Sequence, residues 1–133
     1  MAKTFRFKLL TPEKKVVDED VEKVFTLSED GEVEFLANHA PILISTKVCA
    51  TSYIDSLGNK KEVFTNEGVI NIRDNELVFC CDSAELKEDI DLERALAAKE
   101  RAEKRLKDKN KNDSIRAEAS LRRALVRLKM IKE

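Results

Sequence analysis

Every glycine, proline and aromatic residue of this 133-residue chain lies before position 82, and the last 46 residues hold none. A run of that length without Gly or Pro, made largely of Ala, Leu, Glu, Lys and Arg, predicts helix from Asp89 onward. The part before it, with all six Phe, the single Tyr and three Gly, has the make-up of short strands joined by tight turns. Charge divides at the same place. Residues 1–87 carry 11 basic and 16 acidic side chains and residues 88–133 carry 14 and 10. The parts are therefore oppositely charged, although the whole chain is only −1. This division predicts an α+β chain, with an antiparallel β-sandwich over residues 1–86 and a two-helix element over residues 87–133.

Phe5, Phe7 and Leu9 alternate with Arg6 and Lys8, the period of two that a strand shows when one face is buried. Similar runs follow at Val21–Leu27, Glu32–Leu36, Ile42–Tyr53, Lys61–Phe64, Val69–Ile72 and Leu77–Cys81. Asp30-Gly31, Gly58-Asn59, Glu67-Gly68 and Asp74-Asn75 punctuate them as turn signals.

In the second part Asp89 or Asp91 is placed to cap a helix start. Leu92, Ala95, Ala102 and Leu106 recur at helical spacing, and Ala117, Leu121, Ala124, Leu128 and Ile131 continue such a seam. Between them the segment from Lys107 to Asn112 has no apolar residue and leads into Asp113-Ser114, good capping types. The pattern predicts an antiparallel helical hairpin bent near Asn110, with a second apolar strip of Leu96, Ile115 and Leu125 suited to docking on the sheet. Folding back about that bend sets Arg94 across from Arg127, Arg105 across from Arg116, and Arg101 within a turn of Arg123. Each of these arginines comes one residue before a seam position, so all six share one edge with Asp91.

Facing guanidiniums repel, and an anion between them reverses the sign of that interaction. Guanidinium pairs suit bidentate phosphate binding. The edge is read either as a polyphosphate or acidic-partner site or as the solvated face of a charged helix pair. Because several seam positions are Ala, which bury little area, the hairpin is expected to need a partner surface. A ligand at about 100 times its dissociation constant adds about 2.7 kcal/mol to the state that binds it, enough to redistribute such an element between two arrangements.

Several classes are excluded or disfavoured. No stretch approaches the about 20 apolar residues of a membrane span. The opening residues lack the apolar core of a signal peptide, which predicts a cytoplasmic protein. Cys49, Cys80 and Cys81 show no Cys-x-x-Cys spacing and are read as small core residues of a reducing compartment. His39, the single histidine, has no evident Ser or Cys partner and is read as a loop residue. No Gly-rich phosphate loop or metal-ligand cluster is present, and Glu29–Glu34 lacks the full spacing of a calcium loop. Catalytic chemistry is not expected. A nucleic-acid module built on the basic hairpin fares worse than the anion site, because ten acidic residues are interleaved there and no aromatic is available for stacking.

The segment Gly31–Ile42, together with Ile90-Asp91-Leu92-Glu93-Arg94-Ala95 and the arginine-rich run from Arg116 to Leu128, closely resembles the epsilon subunit of bacterial F-type ATP synthases, in order and spacing over the whole chain. A Gly is usual in that family where Asn38 stands. The resemblance implies a sandwich that binds the gamma subunit of the central stalk and rests on the ring of c subunits. The protein would then be a rotor component that couples ion-driven rotation to ATP synthesis without catalysing either step. The loop around His39 resembles the segment lying towards the ring. The protein would sit peripherally on the cytoplasmic face of the bacterial plasma membrane, touching the membrane only through the complex.

The resemblance also implies that the hairpin is regulatory. Folded, it permits turnover; extended into the catalytic head, it blocks ATP hydrolysis. No cofactor is required, but ATP is implied as a regulatory ligand of the folded form. The signature Ile90–Ala95 carries Asp91 and Arg94 over as nucleotide contacts, and Glu85, Arg101, Arg123 and Arg127 fall on positions that line the family's site. In the extended form, within a catalytic head of alpha and beta subunits, Arg116, Arg122, Arg123 and Arg127 are implied contacts to an acidic segment of the beta subunit.

Overall fold

A computed structural model describes residues 3–107 and 111–132, with side chains omitted at 111–113. The chain divides into two compact units, Met1–Leu86 and Lys87–Glu133.

The first unit contains nine strands: β1 (Phe5–Leu10), β2 (Lys15–Ser28), β3 (Gly31–Leu36), β4 (Ile42–Thr46), β5 (Cys49–Asp55), β6 (Lys60–Thr65), β7 (Gly68–Arg73), β8 (Glu76–Cys81) and β9 (Ala84–Leu86). Alternation sets which face each residue takes. Phe5, Phe7 and Leu9 are buried while Arg6 and Lys8 point outward. The sheet runs β1-β8-β7-β4-β2-β5-β6-β9, with β3 beside β2 and a further pairing of β1 with β2. Strand β2 belongs to both layers of the sandwich: its first half pairs with β1 and its second half lies between β3 and β5. Phe7, Leu9, Val21, Val24, Tyr53, Ile70, Leu77 and Phe79 fill the interior, with Phe7 and Tyr53 meeting edge to face at 5.3 Å.

Three features depart from expectation. The run Ile42–Tyr53 is two strands, because the chain changes layers at Lys47-Val48: β4 pairs with β7 and meets β2 at Thr46–Ser28, whereas β5 pairs with β2 and β6. Lys47 N–H donates to Leu27 O at 2.9 Å and so fixes that crossing. Strand β9, three residues long, is added at the edge of β6. The cysteines do not behave alike. Cys81 is buried, and burial pushes its thiol up to about 11, but Cys49 is half-buried and Cys80 is exposed. Neighbours on one strand face opposite ways, so Cys80 cannot be a core residue if Cys81 is.

The turns are sterically specified. Gly31 and Gly58 have positive φ. A Cβ on Gly68 would collide with the Cys80 carbonyl and lie 2.7 Å from Cys81 Cβ. Thr26, Thr51 and Thr65, all buried, satisfy one another through hydroxyl contacts of 2.8 and 2.7 Å, as buried polar groups must.

The second unit opens with a turn of 3₁₀ helix at Lys87–Asp89, followed by α1 (Leu92–Lys107) and α2 (Lys111–Lys132). Asp91 is the cap of α1: its Oδ1 accepts from Arg94 N–H at 3.2 Å and its carbonyl from Ala95 N–H at 3.0 Å. Helix α2 begins at Lys111, so positions 113 and 114 lie within it. The expected bend at Asn110 falls outside the described residues. The helices pack along Ala95, Ala102, Ala117, Ala124 and Leu128, all buried. Leu92 is exposed instead of lying in the seam, and Leu106, Leu121 and Ile131 are half-buried. Met130 is buried on a side of α2 that the seam spacing does not account for. Leu96, Ile115 and Leu125, the second apolar strip, are exposed, Ile115 at 73%.

Candidate functional site

Arg94, Arg101 and Arg105 on α1, and Arg116, Arg123 and Arg127 on α2, have the same spacing of seven and then four residues. At about 100° per residue this keeps each trio within about 40° on its helix. Five of the six immediately precede a buried seam residue: Ala95, Ala102, Ala117, Ala124 or Leu128; Arg105 precedes half-buried Leu106. In an antiparallel pair, positions preceding the seam on both helices share one edge. Asp91, fixed as the α1 cap, stands at the end of that edge.

Arg94, Arg101, Arg105 and Arg116 are exposed, while Arg123 and Arg127 are half-buried. Among the described residues no carboxylate lies within 4.0 Å of the Arg94, Arg101, Arg105 or Arg116 side chain. Arg123 donates to Ser120 Oγ at 3.0 Å, one turn back, which holds its guanidinium along the helix. An edge of this kind supplies many N–H donors, which is the chemistry of a phosphate or carboxylate receptor. One candidate residue on the helices stands apart from it. Arg122 is exposed and lies about 100° around α2 from Arg123. Glu85 belongs to the other unit, on β9 opposite Phe64.

The second candidate is the loop from Ala37 to Pro41, between β3 and β4. Asn38 takes φ 62°, a left-handed conformation in which Gly costs nothing and Asn is tolerated. His39 sits edge to face on Phe35, centroids 5.3 Å apart, and its Nδ1 is 2.6 Å from Ala40 O. These contacts orient the ring without supplying a nucleophile. Around it Leu36, Ile42 and Leu43 are exposed, Leu43 at 69%. An apolar rim about an ordered loop is a contact surface rather than a reaction centre. Sequence reasoning singled out His39 but not this rim, which emerges only once β3 and β4 are seen to turn those side chains outward. Among the described residues no group of three or more His, Cys, Asp or Glu could hold a metal ion, and no helix is long and apolar enough to cross a membrane.

Comparison with known proteins agrees with this division. Residues 4–87 match the ATP synthase delta/epsilon chain β-sandwich domain, and residues 88–132 match the long α-helix domain of the same chain. The chain belongs to the ATP synthase delta/epsilon family. Relatives in this family include the ATP synthase epsilon chain of Clostridium botulinum (strain Alaska E43), 39% identical over 132 residues, covering 99% of this chain and 98% of the relative. The epsilon chain of Clostridium novyi is likewise 39% identical over 131 residues, covering 98% of this chain and all of the relative. Among solved structures, a chain of the Euglena gracilis mitochondrial ATP synthase superposes with a TM-score of 0.78 at 19% identity, over 89% of this chain and 75% of that one. A chain of the central stalk and c-ring of the Tetrahymena thermophila enzyme gives 0.63 at 8% identity, over 98% of each. These two likenesses establish a shared fold.

Proposed function

We propose that this family member is the epsilon subunit of an ATP synthase: a non-catalytic part of the central stalk that turns with the rotor and couples ion-driven rotation to ATP synthesis. The observation that carries this reading is the end-to-end match to bacterial epsilon chains, in which both units are retained at nearly equal length. In this reading the sandwich binds the gamma subunit, and the loop carrying His39 with its apolar rim meets the c-ring. The subunit is then peripheral on the cytoplasmic face of the bacterial plasma membrane. The test is reconstitution: the purified chain added to a synthase lacking its epsilon subunit should bind the gamma subunit and restore ATP-driven ion pumping. Failure to bind would remove the proposal.

The hairpin serves regulation in the same proposal. Folded, it binds ATP through the edge formed by Arg94, Arg101, Arg123 and Arg127, with Asp91 and Glu85. Extended, it enters the catalytic head of alpha and beta subunits and stops ATP hydrolysis, with Arg116, Arg122, Arg123 and Arg127 meeting an acidic segment of the beta subunit. One feature favours a switch over a fixed brace: a seam built mostly of Ala. Calorimetric titration of ATP into the isolated chain tests the nucleotide half, and Arg94→Ala and Arg127→Ala should each weaken binding, by about tenfold where a charge-assisted hydrogen bond is lost. No heat of binding from the unmutated chain would overturn this half and leave the rotor role standing.

A further inference from the structure

The turn joining β7 to β8 has only two residues between the paired Arg73 and Glu76, and both, Asp74 at φ 51° and Asn75 at φ 60°, are left-handed. That is the type I′ geometry whose twist suits a tight hairpin. The turn alone explains why Asn or Gly stands at 75, but it does not explain what the side chain does. Asn75 Oδ1 accepts from Asn38 N–H at 2.8 Å, and Asn75 Nδ2 donates to Thr4 O at 2.9 Å. Its own carbonyl accepts from Arg6 N–H at 3.1 Å. One residue thereby ties the β7–β8 turn to the start of β1, 71 positions away, and to the β3–β4 loop, 37 positions away. The two side-chain bonds also fix the amide's orientation, since a backbone N–H can meet only its oxygen and a carbonyl only its nitrogen.

We infer that Asn75 is a positioning residue for the His39 loop. Its carboxamide holds Asn38 in the left-handed conformation, so that His39 lies on Phe35 and the apolar rim of Leu36, Ile42 and Leu43 is ordered before a partner arrives. A loop ordered in advance loses less conformational freedom on binding. The inference rests on the reading of this loop as a contact surface of the rotor.

Two substitutions separate the latch from the turn. Asn75→Gly leaves Asp-Gly, a favoured type I′ pair, and removes the carboxamide. Asn75→Asp keeps an acceptor for Asn38 N–H and replaces the donor to Thr4 O with a charged acceptor. In the full chain, amide hydrogen exchange followed by NMR should show Asn38 N–H exchanging about fivefold faster in Asn75→Gly, as expected for one lost hydrogen bond. Asn75→Asp should keep the slow rate, and Arg6 N–H should remain slow in both variants. Unchanged exchange at Asn38 in Asn75→Gly would overturn the inference. In the reconstituted synthase, ions pumped per ATP hydrolysed should fall in Asn75→Gly and hold in Asn75→Asp. Full coupling in Asn75→Gly alongside a loss in His39→Ala would also overturn it, while sparing the contact role of the loop. Full coupling in both Asn75→Gly and His39→Ala would remove that contact role, and the positioning role with it.

Discussion

Asp55 shows how a single carboxylate can organise a turn. It accepts from Asn59 N–H at 2.9 Å and Leu57 N–H at 3.0 Å, and Lys61 Nζ lies 3.3 Å away. The Asn59 N–H, joined by that of Leu57 and by the Lys61 ammonium, holds the Asp55 carboxyl below the ordinary range against the opposing effect of burial. Asp18 is lowered in the same direction by Lys15 and then Arg6. A carboxyl with a depressed folded value contributes stability above its unfolded pKa, near about 3.9, and loses it as pH falls through the lower folded value. The chain should therefore unfold more readily below about pH 4, and Asp55→Asn should flatten that dependence in thermal melts taken between neutral and acid pH. Gly68 makes the complementary steric point. Gly68→Ala should destabilise the sandwich by about 1–3 kcal/mol in chemical denaturation, because the colliding partner is backbone of β8 and not a movable side-chain tip. Neither effect was legible in advance: Asp55 reads as one acidic residue among many, and Gly68 as an ordinary turn signal.

Single elements were legible where a period repeats. Alternation at Phe5–Leu9 and the heptad-like return of Ala95, Ala102, Ala117 and Ala124 each state which face is buried, and the structure buries those faces. Breaks without a breaker residue were not legible. The layer change at Lys47-Val48 has no Gly or Pro to mark it, and β9 is too short to show a period. Leu92 is apolar at seam spacing yet exposed, although the first turn of α1 follows directly on the Asp91 cap. That cap is itself testable. Asp91→Ala should cost about 0.5–2 kcal/mol of helix stability, whereas Asp91→Asn keeps a capping oxygen and should melt like the parent. Asp91→Asn therefore isolates any role of the charge: weaker ATP binding at unchanged stability would assign the carboxylate to the ligand.

At the scale of the molecule, the change in residue chemistry near position 87 foreshadows two units of different architecture, one held by a deep aromatic and aliphatic interior and the other by a thin alanine seam. The arginine row on each helix was also legible, since a spacing of seven and then four residues keeps three side chains on one side. Its occupant was not, because a guanidinium row accepts phosphate and carboxylate alike. The exposed Leu96, Ile115 and Leu125 fit an element that has more than one apolar surface to offer, as a switching hairpin requires. The most direct test is ATP hydrolysis by the reconstituted synthase with and without residues 88–133, at low and at high ATP. A regulatory hairpin predicts that truncation raises hydrolysis, most strongly at low ATP where the extended form dominates, and that the complex still assembles. Equal hydrolysis by the full and truncated complexes at both concentrations would contradict it.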